Sequence, residues 1–109
     1  MNAKNWRACV KDGVTVSKPV YAAQIATYQS YLELHEQPAL FTAVNADTME
    51  IYAELIPFDA GLAQRMSDRA ARVIQATESS DLLPRSFTDP THFECKFCAW
   101  SDRCWKERA

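Results

Sequence analysis

Cys95, Cys98 and Cys104 carry the most specific chemistry in this 109-residue chain: three of its four cysteines, spaced C-x2-C-x5-C in the stretch FECKFCAWSDRCW. Two thiolates separated by two residues turn toward one ion from a tight knuckle, and a third returns five residues later on a short turn. Such a set suits tetrahedral zinc or an iron–sulfur cluster. Two residues are candidates for the fourth ligand: Cys9, distant in sequence, and His92, three residues before Cys95. His92 with three cysteines favours zinc, whereas four cysteines permit zinc or 4Fe-4S. Phe93, Phe97, Trp100 and Trp105 interleave with the cysteines. They would shield a metal centre from water or form a small satellite core.

A second pair of residues has binding chemistry. In QIATY, Gln24 and Tyr28 stand at i and i+4, one above the other on a helix. An amide beside a phenol can hydrogen-bond a backbone, a phosphate or a carboxylate. The alternative is a Tyr28 buried in the core beside a solvated Gln24.

The elements that must position these groups follow from pattern. Residues 3 to 12 suit a short helix ended by Gly13, and GVTVSK reads as an extended link. A helix over about residues 18–35, with Pro19 in its first turn, places Tyr21, Ile25, Tyr28 and Leu32 on one stripe. ALFTAVNA and MEIYAELIPF read as two strands of a hairpin, with turn residues over Asn45 to Thr48. In the second strand Met49, Ile51, Ala53 and Leu55 alternate against Glu50, Tyr52 and Glu54. Asp59 caps a helix over about residues 59–78, whose apolar face is Leu62, Met66, Ala70, Val73 and Thr77, with Ile74 beside it. The loop SSDLLPRSFTDPTH leads to the cysteines. The expected class is therefore α+β: helices packed on a β-hairpin, with a C-terminal cysteine knuckle, in a single domain over 1–109. Residues 1–80 form its core and 81–109 its metal-binding tail. A lone hairpin is marginal in water, so further strands are missing or come from another chain.

Composition bounds the function. A net charge of −2 lacks the strongly basic footprint of a nucleic-acid binder, although Lys4, Arg7, Lys11 and Lys18 crowd the first eighteen residues. There is no 18-residue apolar run and no leader-like start, so the expected setting is cytoplasmic and reducing, with no membrane partner. There, clustered cysteines point to metal before disulfides.

KPVYAAQIATYQSYL, then FTAVNADTMEIYAELIPFD, a long helix and FECKFCAWSDRCW together resemble the C-terminal half of PD-(D/E)XK nucleases of the RecB-like, phage exonuclease type. CRISPR-associated exonucleases with an iron–sulfur cluster belong to the same group. Its Q-x3-Y motif is matched by Gln24 and Tyr28, and its C-terminal cluster motif by Cys95, Cys98 and Cys104. The resemblance covers nearly the whole chain. It implies a DNA partner, with Gln24 and Tyr28 positioning DNA or the catalytic lysine.

The resemblance also shows what is missing. The family's Asp and E-x-K, which hold Mg²⁺ and assist the attacking water, precede the Q-x3-Y helix. The 23 residues before Gln24 contain one acid, Asp12, and no E-x-K. The one literal match, Glu94-Cys95-Lys96, lies inside the knuckle. By this resemblance Met1 falls just after the catalytic strand, and the family's first cluster cysteine is absent too. The expectation is a catalytically incomplete piece with no catalytic residue of its own, needing Mg²⁺ only if an upstream nuclease half is supplied. A stand-alone phage or mobile-element regulator that binds or inhibits a partner nuclease is the alternative, a small metal-stapled scaffold a third reading. An open sheet edge would favour homo-oligomers in either of the first two.

Overall fold

The computed structural model describes residues 1–106, which form mixed helix and strand. They fall into two compact units, residues 1–72 and 73–106, the division lying inside the 20-residue helix Ala60–Ser79.

In the first unit, α1 (Ala3–Asp12) starts where Asn2 Oδ1 accepts the Asn5 amide at 2.8 Å and ends at Gly13. Gly13 has φ 79° and ψ 165°, a conformation essentially restricted to glycine. The expected extended link is instead a one-turn helix, α2 (Val14–Ser17). Its β-branched residues favour extension, but tertiary contacts override them. Val14 is wholly buried, and the Gly13 carbonyl accepts both the Ser17 amide (3.0 Å) and the Ser17 hydroxyl (2.7 Å).

α3 (Pro19–Tyr31) has proline in its first turn, as expected. It ends four residues before the expected 35, because Glu33 turns left-handed (φ 57°) and the Leu34 amide returns to Gln29 O at 2.8 Å. Its buried face is Ala22, Ala26 and Gln29 with Ile25 partly buried, whereas Tyr21, Tyr28 and Leu32 are exposed. The expected stripe is therefore displaced. α3 carries apolar residues on all sides, so periodicity does not select a face, and the alanines allow the closest approach.

β1 (Ala39–Val44) and β2 (Ile51–Ile56) pair antiparallel, in register from Ala39↔Ile56 to Val44↔Ile51. Between them Asn45 Oδ1 accepts the Asp47 amide at 3.0 Å, and Met49 takes a left-handed turn position (φ 64°). Ala43 and Ile56 are buried on one face, with Phe41, Tyr52 and Glu54 half-buried beside them. The opposite face carries Leu40, Thr42, Val44, Ile51, Ala53 and Leu55, all exposed. The apolar half of the β2 alternation thus points outward and the Tyr52–Glu54 half inward.

The inward carboxylate ties elements together. Glu54 Oε1 accepts the Val14 amide at 3.1 Å and also the Tyr52 hydroxyl. That bond, with burial and the Glu54 charge, pushes the Tyr52 phenol from 10.0 up to about 12. The folded chain holds this proton more tightly than the unfolded chain does, so the contribution is complete below pH 10 and lost as pH rises through about 12. Chemical unfolding across this window should show stability falling in the native chain. Tyr52→Phe should remove this component, and identical profiles would refute the assignment.

α4 (Ala60–Ser79) starts where Asp59 Oδ1 accepts the Leu62 amide at 2.9 Å, one residue from the expected bounds. Ala63 is buried and Leu62 and Met66 are half-buried, but Ala70, Val73, Ile74 and Thr77 of the expected apolar face are exposed. The first unit's core is Cys9, Val14 and Ile56, with Met1, Ile25, Phe41 and Tyr52 packed on it. Among the described residues, no helix is long and apolar enough to cross a membrane.

Candidate functional site

In the second unit, the loop after α4 leads to α5 (Phe93–Lys96) and α6 (Ser101–Trp105). Asp89 sets the approach: its carboxylate accepts the Thr91 hydroxyl (2.7 Å) and amide (2.8 Å). These bonds, the hydroxyl first, hold the Asp89 carboxyl below the usual carboxylate range. The His92 amide then donates to Asp89 O at 3.1 Å. The His92 ring stacks on Phe87, centroids 3.9 Å apart, and lies 5.0 Å from the Phe93 ring.

Cys95, Cys98 and Cys104 line one cleft of about 340 Å³, together with Arg85, Ser86, Phe87, Glu94 and Trp105. All three are free thiols; Cys98 is exposed and the other two are half-buried. Short turns bring them together: the Cys98 amide donates to Cys95 O at 3.2 Å, and the Ser101 amide to Cys98 O at 3.3 Å, which starts α6. Arg85 closes one side. Its Nε donates to Cys104 O at 3.0 Å and its guanidinium lies 4.5 Å from the Trp105 ring centre.

The donor chemistry suits a thiophilic metal, but the geometry is not closed. Among the described residues, no three His, Cys, Asp or Glu side chains converge to hold an ion. Both candidates for the fourth position have partners. His92 Nδ1 accepts the Glu94 amide at 3.2 Å and so serves as the cap of α5. A ligating histidine binds through one bare nitrogen and donates from the other. Cys9 is wholly buried in the first unit's core, its sulfur 3.4 Å from the Ser17 hydroxyl oxygen. Of the four interleaved aromatics, Trp105 lines the cleft, while Phe93, Phe97 and Trp100 are exposed. Glu94 and Lys96 lie on the helical turn α5, not on a strand.

Arg85, Ser86, Phe87 and Glu94 are the cleft residues that sequence reasoning did not assign to a metal site. Arg85 meets its partners 19 and 20 positions away, Cys104 and Trp105. Its one signal was a lone cation in a loop otherwise short of basic residues.

Gln24 and Tyr28 are brought together as their spacing requires. Gln24 Nε2 donates to the Tyr28 hydroxyl at 2.7 Å on the exposed face of α3. Tyr28 is 56% exposed, which removes its reading as a core residue. The pair presents an aromatic face and a polar edge to solvent. On α4, Arg65, Arg69 and Arg72 flank Met66 and Asp68 in a shallow groove.

Comparison with protein-family models, curated proteins and solved structures found no match.

Proposed function

We propose that the chain is the C-terminal, DNA-positioning and metal-stapled part of a RecB-like PD-(D/E)XK DNA exonuclease, catalytically incomplete by itself. The observation that carries this reading is the hydrogen-bonded Gln24–Tyr28 pair on an exposed helix face. The phenol supplies a stacking surface, and the amide holds its hydroxyl and orients the ring. Cys95, Cys98 and Cys104 would hold zinc or a 4Fe-4S cluster, which when bound cross-links α5 to α6 and adds its binding energy to the tail's folding. Glu94 is the acidic side chain lining the same cleft.

The test is a DNA-binding titration with single-stranded and duplex oligonucleotides, alongside a cleavage assay in Mg²⁺. Tyr28→Ala should weaken binding by the roughly 1–3 kcal/mol of one base–aromatic contact, and no strand should be cut. Equal affinity of Tyr28→Ala and the native chain would sink the DNA-positioning role. Mg²⁺-dependent cleavage would refute catalytic incompleteness.

A second reading, a regulator that binds a partner nuclease, is favoured by the outward apolar face of the hairpin. It predicts partner binding that survives Tyr28→Ala and fails in Leu55→Asp.

A further inference from the structure

α4 carries three cationic side chains, Arg65, Arg69 and Arg72, and no lysine. Spacings of four and three residues set them in one stripe along the helix. At about 1.5 Å of rise per residue the stripe is roughly 10.5 Å long. All three arginines are exposed, and with Met66 and Asp68 they line one groove. The chain has more acids than bases, yet among the described residues these three pair with no carboxylate. Asp68 stands where an ion pair would form, three residues after Arg65 and four before Arg72. Its Oδ1 instead accepts the Gln64 side-chain amide at 2.9 Å. The groove thus sets three guanidiniums against one carboxylate and keeps an excess of positive charge. α3 is held beside α4 where the Tyr31 and Ser67 hydroxyls meet at 3.5 Å, and Tyr28 lies one turn before Tyr31.

We propose that this groove holds successive backbone phosphates of a DNA strand. The inference rests on the DNA reading above and gives it a second contact: Tyr28 takes an unpaired base, and α4 takes the backbone. Charge selects an anion, and the use of arginine alone selects its shape. A guanidinium presents a planar fork that grips two phosphate oxygens at once, where an ammonium is a point charge. The length of the stripe selects a polymer over a lone ion. A DNA strand carries one charge about every 3.4 Å along the duplex axis, so a stripe of roughly 10.5 Å spans about three phosphate intervals. A free phosphate would engage part of the stripe and leave the rest idle. A lipid surface fits less well, because binding there needs apolar side chains that insert beside the cations. Met66, the apolar residue of the groove, is half-buried against the protein.

The experiment titrates the full chain with a fluorescent oligothymidine of about 16 nucleotides, at salt concentrations from about 50 to 200 mM. Each single-strand phosphate contact adds about 0.7 to the steepness of log affinity against log salt. Arg65→Gln, Arg69→Gln and Arg72→Gln combined should therefore reduce that steepness by about 2, and Arg69→Gln alone by about 0.7. Glutamine is close to arginine as a helix former, and thermal unfolding checks that the fold is kept; should the triple variant unfold, Arg69→Gln gives the same reading. Arg65→Lys, Arg69→Lys and Arg72→Lys combined should keep the steepness and weaken binding, because the fork is lost. Lys4→Gln, Arg7→Gln and Lys11→Gln in α1 are the charge-matched control and should leave the steepness in place. Binding that persists with unchanged steepness in the arginine variants overturns the groove and leaves the Tyr28 contact standing. An equal fall in the α1 control also overturns it, since overall charge would then account for the effect. Reduced steepness together with an affinity indifferent to Tyr28→Ala upholds the groove and removes the base contact. A native chain that binds phosphatidylserine vesicles but no oligonucleotide, or binds neither, overturns both.

Discussion

On the proposed metal assignment, Cys98→Ser is expected to strip the chain of metal and loosen its second unit. Cys98 is the exposed member of the three-cysteine cleft, and serine keeps its size while removing the thiolate. Losing a direct ligand should lower zinc affinity by more than the roughly 10–100-fold that follows loss of a supporting residue. Cys95→Ser and Cys104→Ser should behave alike. Cys9→Ala should keep its metal, because that sulfur is enclosed in a separate core with Ser17 and Met1. Elemental analysis of the purified chains reads the outcome, and limited proteolysis after Ser79 reads the loosening. Full metal occupancy in Cys98→Ser, or no metal in the native chain, would end the assignment. Loss of metal in Cys9→Ala would instead make Cys9 the fourth ligand.

Gly13→Ala is the substitution in the first unit with the largest expected effect on stability. With φ 79° and ψ 165°, an alanine there sits where a side chain costs about 1–3 kcal/mol. Its Cβ would also stand 3.3 Å from Glu54 Oε1, the atom that accepts the Val14 amide and the Tyr52 hydroxyl. Strain at one residue therefore reaches α2 and β2 together. At roughly 4–8 °C per kcal/mol for a domain of this size, thermal unfolding should shift clearly downward. A melting temperature within a degree of the native one would show that the α1–α2 junction adapts without strain.

The elements were more legible in the residues than their faces were. α1 ends at Gly13 as read, the hairpin lies where its β-branched runs placed it, and α4 falls within one residue of its pattern. Spacing also sufficed for Gln24 over Tyr28, because an i, i+4 pair on a helix is neighbourly whatever else packs nearby. Faces were less legible because they depend on what covers them. On α3 apolar residues surround the axis, and the choice went to small Ala22 and Ala26. On β2 the regular alternation of Ile51, Ala53 and Leu55 gave no direction, and the inward side was taken by Tyr52 and Glu54, fixed by a Val14 amide 40 positions away. The cysteine cleft was legible as a grouping of sulfurs. Its Arg85 wall was not, since a loop cation finds its carbonyl through tertiary contact and leaves no period.

The outward ladder of Leu40, Leu55, Val44 and Ile51 has a practical corollary for anyone handling the molecule. A surface that sheds its hydration water readily is sensitive to sulfate and phosphate, which strengthen apolar attraction, and to warming across the range where that attraction grows. The chain belongs in dilute, cold, low-salt buffer, and ammonium sulfate will bring it out of solution early.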